Sequence, residues 1–85
     1  MAKNKRPSSS ARSIDLHGLR VHEAIPLVEN LVDRAILEDA EKIVIVHGIG
    51  MGRIREAVHQ CLAGLRVIKK FGIDPGNPGV TVAYI

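Results

Sequence analysis

The chain has 85 residues, enough for one small domain with a single hydrophobic core. Hydrophobic residues make up 46% of it and aromatic residues only 2%, so the core must be built from aliphatic side chains. A single cysteine excludes an intramolecular disulfide, and no apolar run is long enough to span a membrane. We therefore expect a soluble cytoplasmic protein with no membrane partner.

The formal net charge of +3 at pH 7 is unevenly distributed along the chain. Residues 1–12 hold four of the twelve basic residues and no acidic one, and the remainder has eight basic against nine acidic residues. Residues 1–12 also lack apolar periodicity, which predicts a disordered basic arm or linker ahead of one domain at residues 13–85. The basic composition therefore does not by itself indicate a nucleic-acid surface on the fold.

The first half of the domain predicts a strand, a helix and a second strand. The strands are expected at about residues 13–17 and 42–47, and the helix between them at 22–39 has one apolar stripe at helical spacing. Two strands joined by a helix of this length indicate a βαβ unit, in which the strands are parallel.

The second half predicts a helix at residues 53–63, a short strand at 66–71, a turn-rich loop at 72–79 and a final strand at 80–85. The resulting β-α-β-α-β-β order predicts an α/β fold, a two-layer sandwich with both helices on one face of the sheet. We expect a four-stranded mixed sheet that is antiparallel only at the last hairpin.

Two predicted strands end in the same dipeptide, His-Gly. The two stretches are Ile14-Asp15-Leu16-His17-Gly18 and Ile43-Val44-Ile45-Val46-His47-Gly48-Ile49-Gly50-Met51-Gly52. If the strands are parallel neighbours, both His-Gly ends open at the same sheet edge, where open α/β sheets bind ligands.

The residues at these strand ends could carry acid–base chemistry. His17 and His47 provide two imidazoles, a side chain that titrates near neutral pH and could act as general base and general acid in phosphodiester cleavage. Asp15 shares the sheet face of His17 and could orient an imidazole or hold a metal ion. The alternative is structural: the histidines cap the strand ends by hydrogen bonding, and Asp15 binds a neighbouring backbone amide.

The glycines at alternate positions 48, 50 and 52 form a turn that precedes the second helix. Small residues let the backbone approach an anion, and Arg53 and Arg55 could add positive charge. The stretch is neither a dinucleotide fingerprint, whose sixth position here is Arg53, nor a P-loop, because Gly-Lys-Ser/Thr is absent. A sharp turn with close packing would need the same glycines, so an anion site and a structural turn remain alternatives.

Three other polar residues are predicted to lie outside the site. His22 should face solvent at the start of the first helix, and His59 should be a surface residue, because it lies off the apolar stripe of the second helix. Cys61 falls on that stripe and should belong to the core.

The first stretch, Ile14-Asp15-Leu16-His17-Gly18, resembles the Leu-Asp-Leu-His-Gly motif of the small MutS-related (Smr) domain. The glycine turn looks like that domain's His-Gly-x-Gly-x-Gly motif, and Glu23-Ala24 and Gly79-Val80-Thr81-Val82 also resemble the family. The resemblance covers about residues 13–85 and implies a fold like the C-terminal domain of the third bacterial translation initiation factor.

The resemblance also implies nucleic-acid binding and often endonuclease activity. Similar domains occur at the C-terminus of the second type of bacterial MutS paralogue, which is linked to suppressing recombination and to acting on stalled ribosomes. The chain is similar to a domain cut from such a paralogue, so a ribosome is included among the expected partners.

Carried over residue by residue, Asp15 and His17 match the motif implicated in nuclease activity, and His47 matches the motif thought to contact backbone phosphates. The candidate nucleic-acid contacts are glycines and arginines: Gly18, Arg20, Gly48, Gly50, Gly52, Arg53 and Arg55. The chain departs from the family at Ile49, where a basic residue is common, and at Met51, where a small hydroxyl residue is frequent. Both departures remove phosphate contacts for which the three arginines could compensate.

The leading hypothesis is an endonuclease domain that cleaves DNA, RNA or both with little sequence specificity, with Asp15, His17 and His47 as catalytic residues. RNA cleavage could use the 2′-hydroxyl without a metal, whereas DNA cleavage would call for Mg²⁺ or another divalent cation on Asp15. A second hypothesis is a non-catalytic module that binds nucleic acid or the ribosome. A third is a protein-interaction module that works through the acidic first helix.

Overall fold

The computed structural model describes residues 11–85, which fold into a four-stranded sheet with two helices packed on one face. The elements in chain order are β1 (Ala11–Asp15), α1 (Val21–Leu37), β2 (Lys42–Val46), α2 (Arg53–Ala63), β3 (Lys70–Asp74) and β4 (Asn77–Tyr84). This two-layer α/β architecture confirms the predicted fold class. Within the described residues, neither helix is long and apolar enough to cross a membrane.

The first strand begins earlier than its sequence suggests. Ala11 and Arg12, which were predicted to belong to the basic arm, pair with Lys42 and Ile43 of β2 and are part of β1. The rest of the predicted arm, at residues 1–10, lies outside the described residues. Pairing with an apolar neighbour strand thus extends β1 into a stretch that has no apolar pattern of its own.

The strand order in the sheet of residues 11–85 is β1-β2-β4-β3. β1 and β2 are parallel, with Asp15 paired to Val46, so their C-terminal ends meet at one edge of the sheet. β4 lies between β2 and β3 and is antiparallel to both, so the prediction that only the last hairpin is antiparallel was wrong. The apolar β4 takes the central position, and β3, with exposed Lys70 and Gly72, takes the edge.

The core between the sheet and the helices is aliphatic, as predicted. Helix α1 contributes a stripe at helical spacing, and β2 and β4 contribute alternate residues from one sheet face. The buried core side chains are Leu16, Ala24, Val28, Val32, Ala35, Ala40, Ile43, Ile45, Val58, Leu62 and Ala83.

The C-terminal hairpin differs from its prediction. The strand expected at residues 66–71 begins only at Lys70, because the preceding residues reverse the chain after α2. The loop expected at 72–79 shrinks to a tight turn at Pro75 and Gly76, whose backbone is held by the side chain of Asp74. Gly72 ended the predicted strand too early, since an edge strand tolerates a glycine, whereas Pro75 lies in the turn itself.

Gly79 joins β4 to the end of β2. Its carbonyl oxygen accepts hydrogen bonds from the N–H groups of both His47, at 2.9 Å, and Gly48, at 3.0 Å. A Cβ at Gly79 would lie 3.3 Å from the Cα and carbonyl carbon of Gly48, tighter than an ordinary van der Waals contact. The backbone of the glycine turn therefore needs a residue without a side chain at this position.

We expect Gly79→Ala to lower the free energy of unfolding by about 1–3 kcal/mol, because the added methyl pushes against rigid backbone. Urea denaturation followed by circular dichroism measures the change. The matched control is Gly72→Ala in β3, where an added Cβ meets nothing within 4 Å and should leave stability unchanged or slightly raised. Equal destabilisation by both variants would contradict this description of the turn.

Candidate functional site

The two His-Gly strand ends meet at one edge of the sheet. A Cβ placed on Gly48 would lie 3.5 Å from the Cβ of His17, so the two motifs lie side by side with room for little more than a glycine between them. Together with the start of α2 they border an open cleft of about 310 Å³. Its lining residues are His17, Gly18, His47, Gly48, Ile49, Gly50, Met51, Gly52, Arg53, Ile54 and Arg55.

The backbone of the cleft depends on its glycines. Gly18, Gly48, Gly50 and Gly52 all have positive φ angles, a region that other residues rarely adopt. Gly52, at φ +80°, caps the start of α2, and a Cβ there would lie 2.5 Å from Nη2 of Arg55. The guanidinium of Arg55 thus folds back over the turn, in space that only a glycine leaves open.

The start of α2 presents backbone donors to the cleft. The first N–H groups of a helix have no partner within the helix, and in residues 11–85 those of Arg53, Ile54 and Arg55 find no protein acceptor. The helix dipole places partial positive charge at the same end, and the exposed side chains of Arg53 and Arg55 add full charges. This arrangement favours an anion in the cleft.

Asp15 and His17 form an exposed pair beside the cleft, with side chains that are 65% and 75% accessible. Oδ1 of Asp15 accepts a hydrogen bond from the backbone N–H of His17 at 3.0 Å, which is the contact that the structural alternative predicts. The same oxygen lies 3.7 Å from Nδ1 of His17, so the carboxylate would also attract the imidazolium form. The backbone contact and the attraction to the ring coexist.

His47, in contrast, is buried, with 5% of its surface exposed. Its Nδ1 lies 2.8 Å from the carbonyl oxygen of Gly48, and its Nε2 lies 2.8 Å from Oγ1 of the fully buried Thr81. Both ring nitrogens are therefore occupied by protein partners. His47 borders the cleft without offering it a free nitrogen.

His59 is not the surface residue that its position in the sequence predicted. It is half-buried between α2 and the sheet, with Nε2 2.7 Å from Oγ1 of Thr81 and its ring 5.2 Å from that of Phe71. Burial, followed by repulsion from His47 and Arg55, lowers the pKa of His59 below its ordinary value of 6.5. Helical periodicity alone could not reveal this role, because Thr81 lies on a strand distant in sequence.

The remaining candidates lie apart from the cleft. Arg20 starts α1, where its N–H donates to Glu23 at 2.9 Å, and it does not line the cleft. His22 is exposed, as predicted. Cys61 packs partly buried against the core, also as predicted, and burial raises the pKa of its thiol, which lowers the fraction of thiolate near neutral pH.

The donor set for a metal ion is small. Among residues 11–85, no group of three or more histidine, cysteine and acidic side chains comes together. The cleft edge offers one carboxylate, Asp15, beside the imidazole of His17. Such a set fits Mg²⁺, which takes one or two carboxylates and completes its coordination with water and substrate phosphates, better than a zinc site.

Comparison with known proteins gives a consistent family assignment. The family model described as the Smr domain matches residues 14–85. The protein named Endonuclease MutS2 from Streptococcus mutans is 39% identical over 95% of this chain, and that from Exiguobacterium sibiricum is 34% identical over 91%. The chain spans only 11% and 10% of the lengths of these two relatives.

Solved structures agree with the fold. The crystal structure of the Smr domain of Thermus thermophilus MutS2 superposes with a TM-score of 0.82 at 30% identity, over 86% of this chain and 95% of that one. YdaL, a stand-alone small MutS-related protein from Escherichia coli, gives 0.81 at 19% identity, over 95% of this chain and 67% of that one. The second likeness supports the fold alone.

The lowered pKa of His59 predicts how stability depends on pH. The unfolded chain binds a proton at this histidine more readily than the folded chain, so protonation favours unfolding. The contribution of His59 to stability is present above the unfolded pKa of 6.5 and is lost as pH falls toward the folded value.

We therefore expect the wild type to lose stability more steeply on acidification than His59→Gln, which keeps a side-chain donor but does not titrate. Urea denaturation between about pH 7.5 and pH 5 measures the two slopes. His22→Gln, at an exposed histidine, serves as the control and should keep the wild-type slope. A His59 ring that titrates at or above 6.5 in an NMR titration would contradict the prediction.

Proposed function

The chain belongs to the Smr domain family, and from that membership we propose that it is an endonuclease domain that cleaves phosphodiester bonds in DNA, RNA or both with little sequence specificity. The observation that carries the proposal is the exposed Asp15–His17 pair at the edge of a cleft with unpaired N–H groups and two arginines. The pair supplies acid–base chemistry, and the cleft supplies electrostatic stabilisation for a phosphate.

In this proposal His17 is the general base. Its imidazole removes a proton from the attacking oxygen, which is the 2′-hydroxyl of RNA or a water molecule for DNA, as that oxygen bonds to phosphorus. The leaving oxygen departs with the electron pair of the broken bond and takes a proton from water in the open cleft. The negative charge of Asp15, 3.7 Å from Nδ1, stabilises the imidazolium that forms. Arg53, Arg55 and the first N–H groups of α2 stabilise the negative charge on the phosphoryl oxygens.

His47 supports the site without touching the substrate. Its two nitrogens are bound by Gly48 and Thr81, so its share in catalysis is to hold the glycine turn in the shape that receives a phosphate. This division differs from a mechanism with two reactive histidines, because of His17 and His47 only His17 has an accessible ring.

Contacts in the proposed site are made to phosphate and not to base edges. Because the contacts are to charged phosphates, binding should weaken steeply as salt is raised. Because backbone N–H groups and arginines on phosphate do not distinguish the bases, binding should depend little on base identity. Ribosomal RNA presents the same phosphates, and a ribosome is therefore a proposed partner. Roles in suppressing recombination or acting on stalled ribosomes would belong to a larger protein, since the chain spans about a tenth of its MutS2 relatives.

A second candidate is a module that binds nucleic acid without cleaving it. Ile49 and Met51, at the rim of the cleft, are 64% and 83% exposed. These apolar side chains offer no phosphate contact where polar ones would add affinity, so the substrate would be held less firmly against His17. The two candidates differ in one observable, the cleavage of a bound strand.

We expect His17→Ala to reduce cleavage by about 10²–10⁴-fold, the usual contribution of a general acid or base, with binding largely retained. Asp15→Asn, which keeps the backbone contact and removes the charge, should reduce cleavage by less. The assay follows end-labelled single-stranded RNA and branched DNA, each with Mg²⁺ and with a chelator. His22→Ala is the matched control, an exposed histidine outside the cleft that should leave cleavage unchanged.

Equal cleavage by the wild type and His17→Ala would overturn the proposed role of the pair. Salt-sensitive binding without cleavage by any preparation would favour the non-catalytic module.

A further inference from the structure

Three side chains outside the reactive pair, the buried His47 and Thr81 and the half-buried His59, form a hydrogen-bond network. Oγ1 of Thr81 lies 2.8 Å from Nε2 of His47 and 2.7 Å from Nε2 of His59, and Nδ1 of His47 lies 2.8 Å from the carbonyl oxygen of Gly48. Thr81 is fully buried in β4, His59 comes from α2, and His47 follows β2. These hydrogen bonds thus connect α2, β4 and the end of β2 to Gly48, the first residue of the glycine turn.

The donor and acceptor capacity of each group fixes the direction of each hydrogen bond. A carbonyl oxygen only accepts, so Nδ1 of His47 must carry a proton and donate to Gly48. In the neutral ring Nε2 then has a lone pair, which accepts the hydroxyl proton of Thr81. The hydroxyl oxygen is left to accept from Nε2–H of His59, so with a neutral His47 these three hydrogen bonds can form in one arrangement only.

From this geometry we propose that Thr81 and His59 are positioning residues: they hold His47 in the Nδ1–H tautomer, which turns the Gly48–Ile49 peptide so that its N–H faces the cleft. The proposal rests on the proposed function, because it assigns this N–H to a phosphate of the bound strand. It goes beyond that function by giving a role to two side chains that do not line the cleft.

The orientation follows from the planarity of the peptide. In a trans peptide the C=O and the next N–H point in opposite directions. With the carbonyl of Gly48 drawn inward by His47, the N–H of Ile49 points outward, and no acceptor for it occurs among residues 11–85. Ile49 lines the cleft, so its N–H adds a donor next to those at the start of α2.

The opposite tautomer would remove this donor from the cleft. An unprotonated Nδ1 of His47 and the carbonyl oxygen of Gly48 are both hydrogen-bond acceptors, so they would repel each other. The Gly48–Ile49 peptide would then be free to rotate. The N–H groups of His47 and Gly48 are already fixed by the carbonyl of Gly79, so rotation would be confined to the Gly48–Ile49 peptide. A glycine with φ +82° tolerates such a change more readily than other residues.

The test compares two variants of Thr81 that differ in one group. Thr81→Val keeps the shape and removes the hydroxyl, whereas Thr81→Ser keeps the hydroxyl and removes the methyl. The probe is a ten-nucleotide 2′-O-methyl oligoribonucleotide, which lacks the attacking hydroxyl, and binding is measured by fluorescence anisotropy at low salt with a chelator present. Urea denaturation establishes that each variant is folded.

We expect Thr81→Val to bind the oligonucleotide about tenfold more weakly, since one charge-assisted hydrogen bond to phosphate is misdirected, and Thr81→Ser to match the wild type. His59→Gln, which keeps a donor, should bind better than His59→Leu. The ¹⁵N shifts of His47 in the wild type should show a protonated Nδ1 and an unprotonated Nε2, a measurement that needs no variant to fold.

Protonation of His47 at Nε2 in the neutral wild type, or equal binding by Thr81→Val and Thr81→Ser, would overturn the proposal. Neither readout uses cleavage. A wild type that binds but does not cleave therefore removes the proposed catalysis and leaves this positioning role standing. A Thr81→Val variant that binds as tightly as the wild type removes the positioning role and leaves the proposed catalysis standing.

Discussion

The parallel pairing of β1 with β2 is the constraint on which the site depends. Because Asp15 pairs with Val46, the two His-Gly dipeptides leave the sheet side by side, although 30 positions of sequence separate the histidines. The crossover helix α1 makes the strands parallel, and β4 fixes the end of β2 through the carbonyl of Gly79. A cleft lined by both motifs follows from topology before any side-chain chemistry is considered.

The same dipeptide serves two purposes because its two strands occupy different positions in the sheet. β1 is an edge strand of the described sheet, so His17 and Asp15 remain accessible at its end. β2 is flanked on both sides, so His47 continues into the interior and finds Thr81 on its neighbour β4. One imidazole is thereby available for acid–base chemistry, and the other is bound into the scaffold that shapes the turn.

Local sequence patterns predicted much of this structure. Apolar periodicity and the glycines located α2 with its observed bounds, and the β-α-β-α-β-β order led to the correct fold class. The C-terminal hairpin was misplaced because Gly72 acts as a breaker in a sequence window but is tolerated in the edge strand β3, and only Pro75 and Gly76 form the turn. The link from His59 to Thr81 was missed for a different reason: it joins a helix to a strand 22 positions away, and no local pattern encodes such a contact.

The central claim is that a nucleic-acid phosphate binds where the two strand ends meet. The most direct measurement is an NMR titration of the ¹⁵N-labelled chain with a short non-cleavable oligonucleotide, following every backbone amide. The account predicts that the largest shifts occur at His17 and Gly18 and at residues 49–55, and that they fade as salt is raised. Shifts concentrated on α1 or on the face of the sheet opposite the helices, with the cleft amides unmoved, would contradict it.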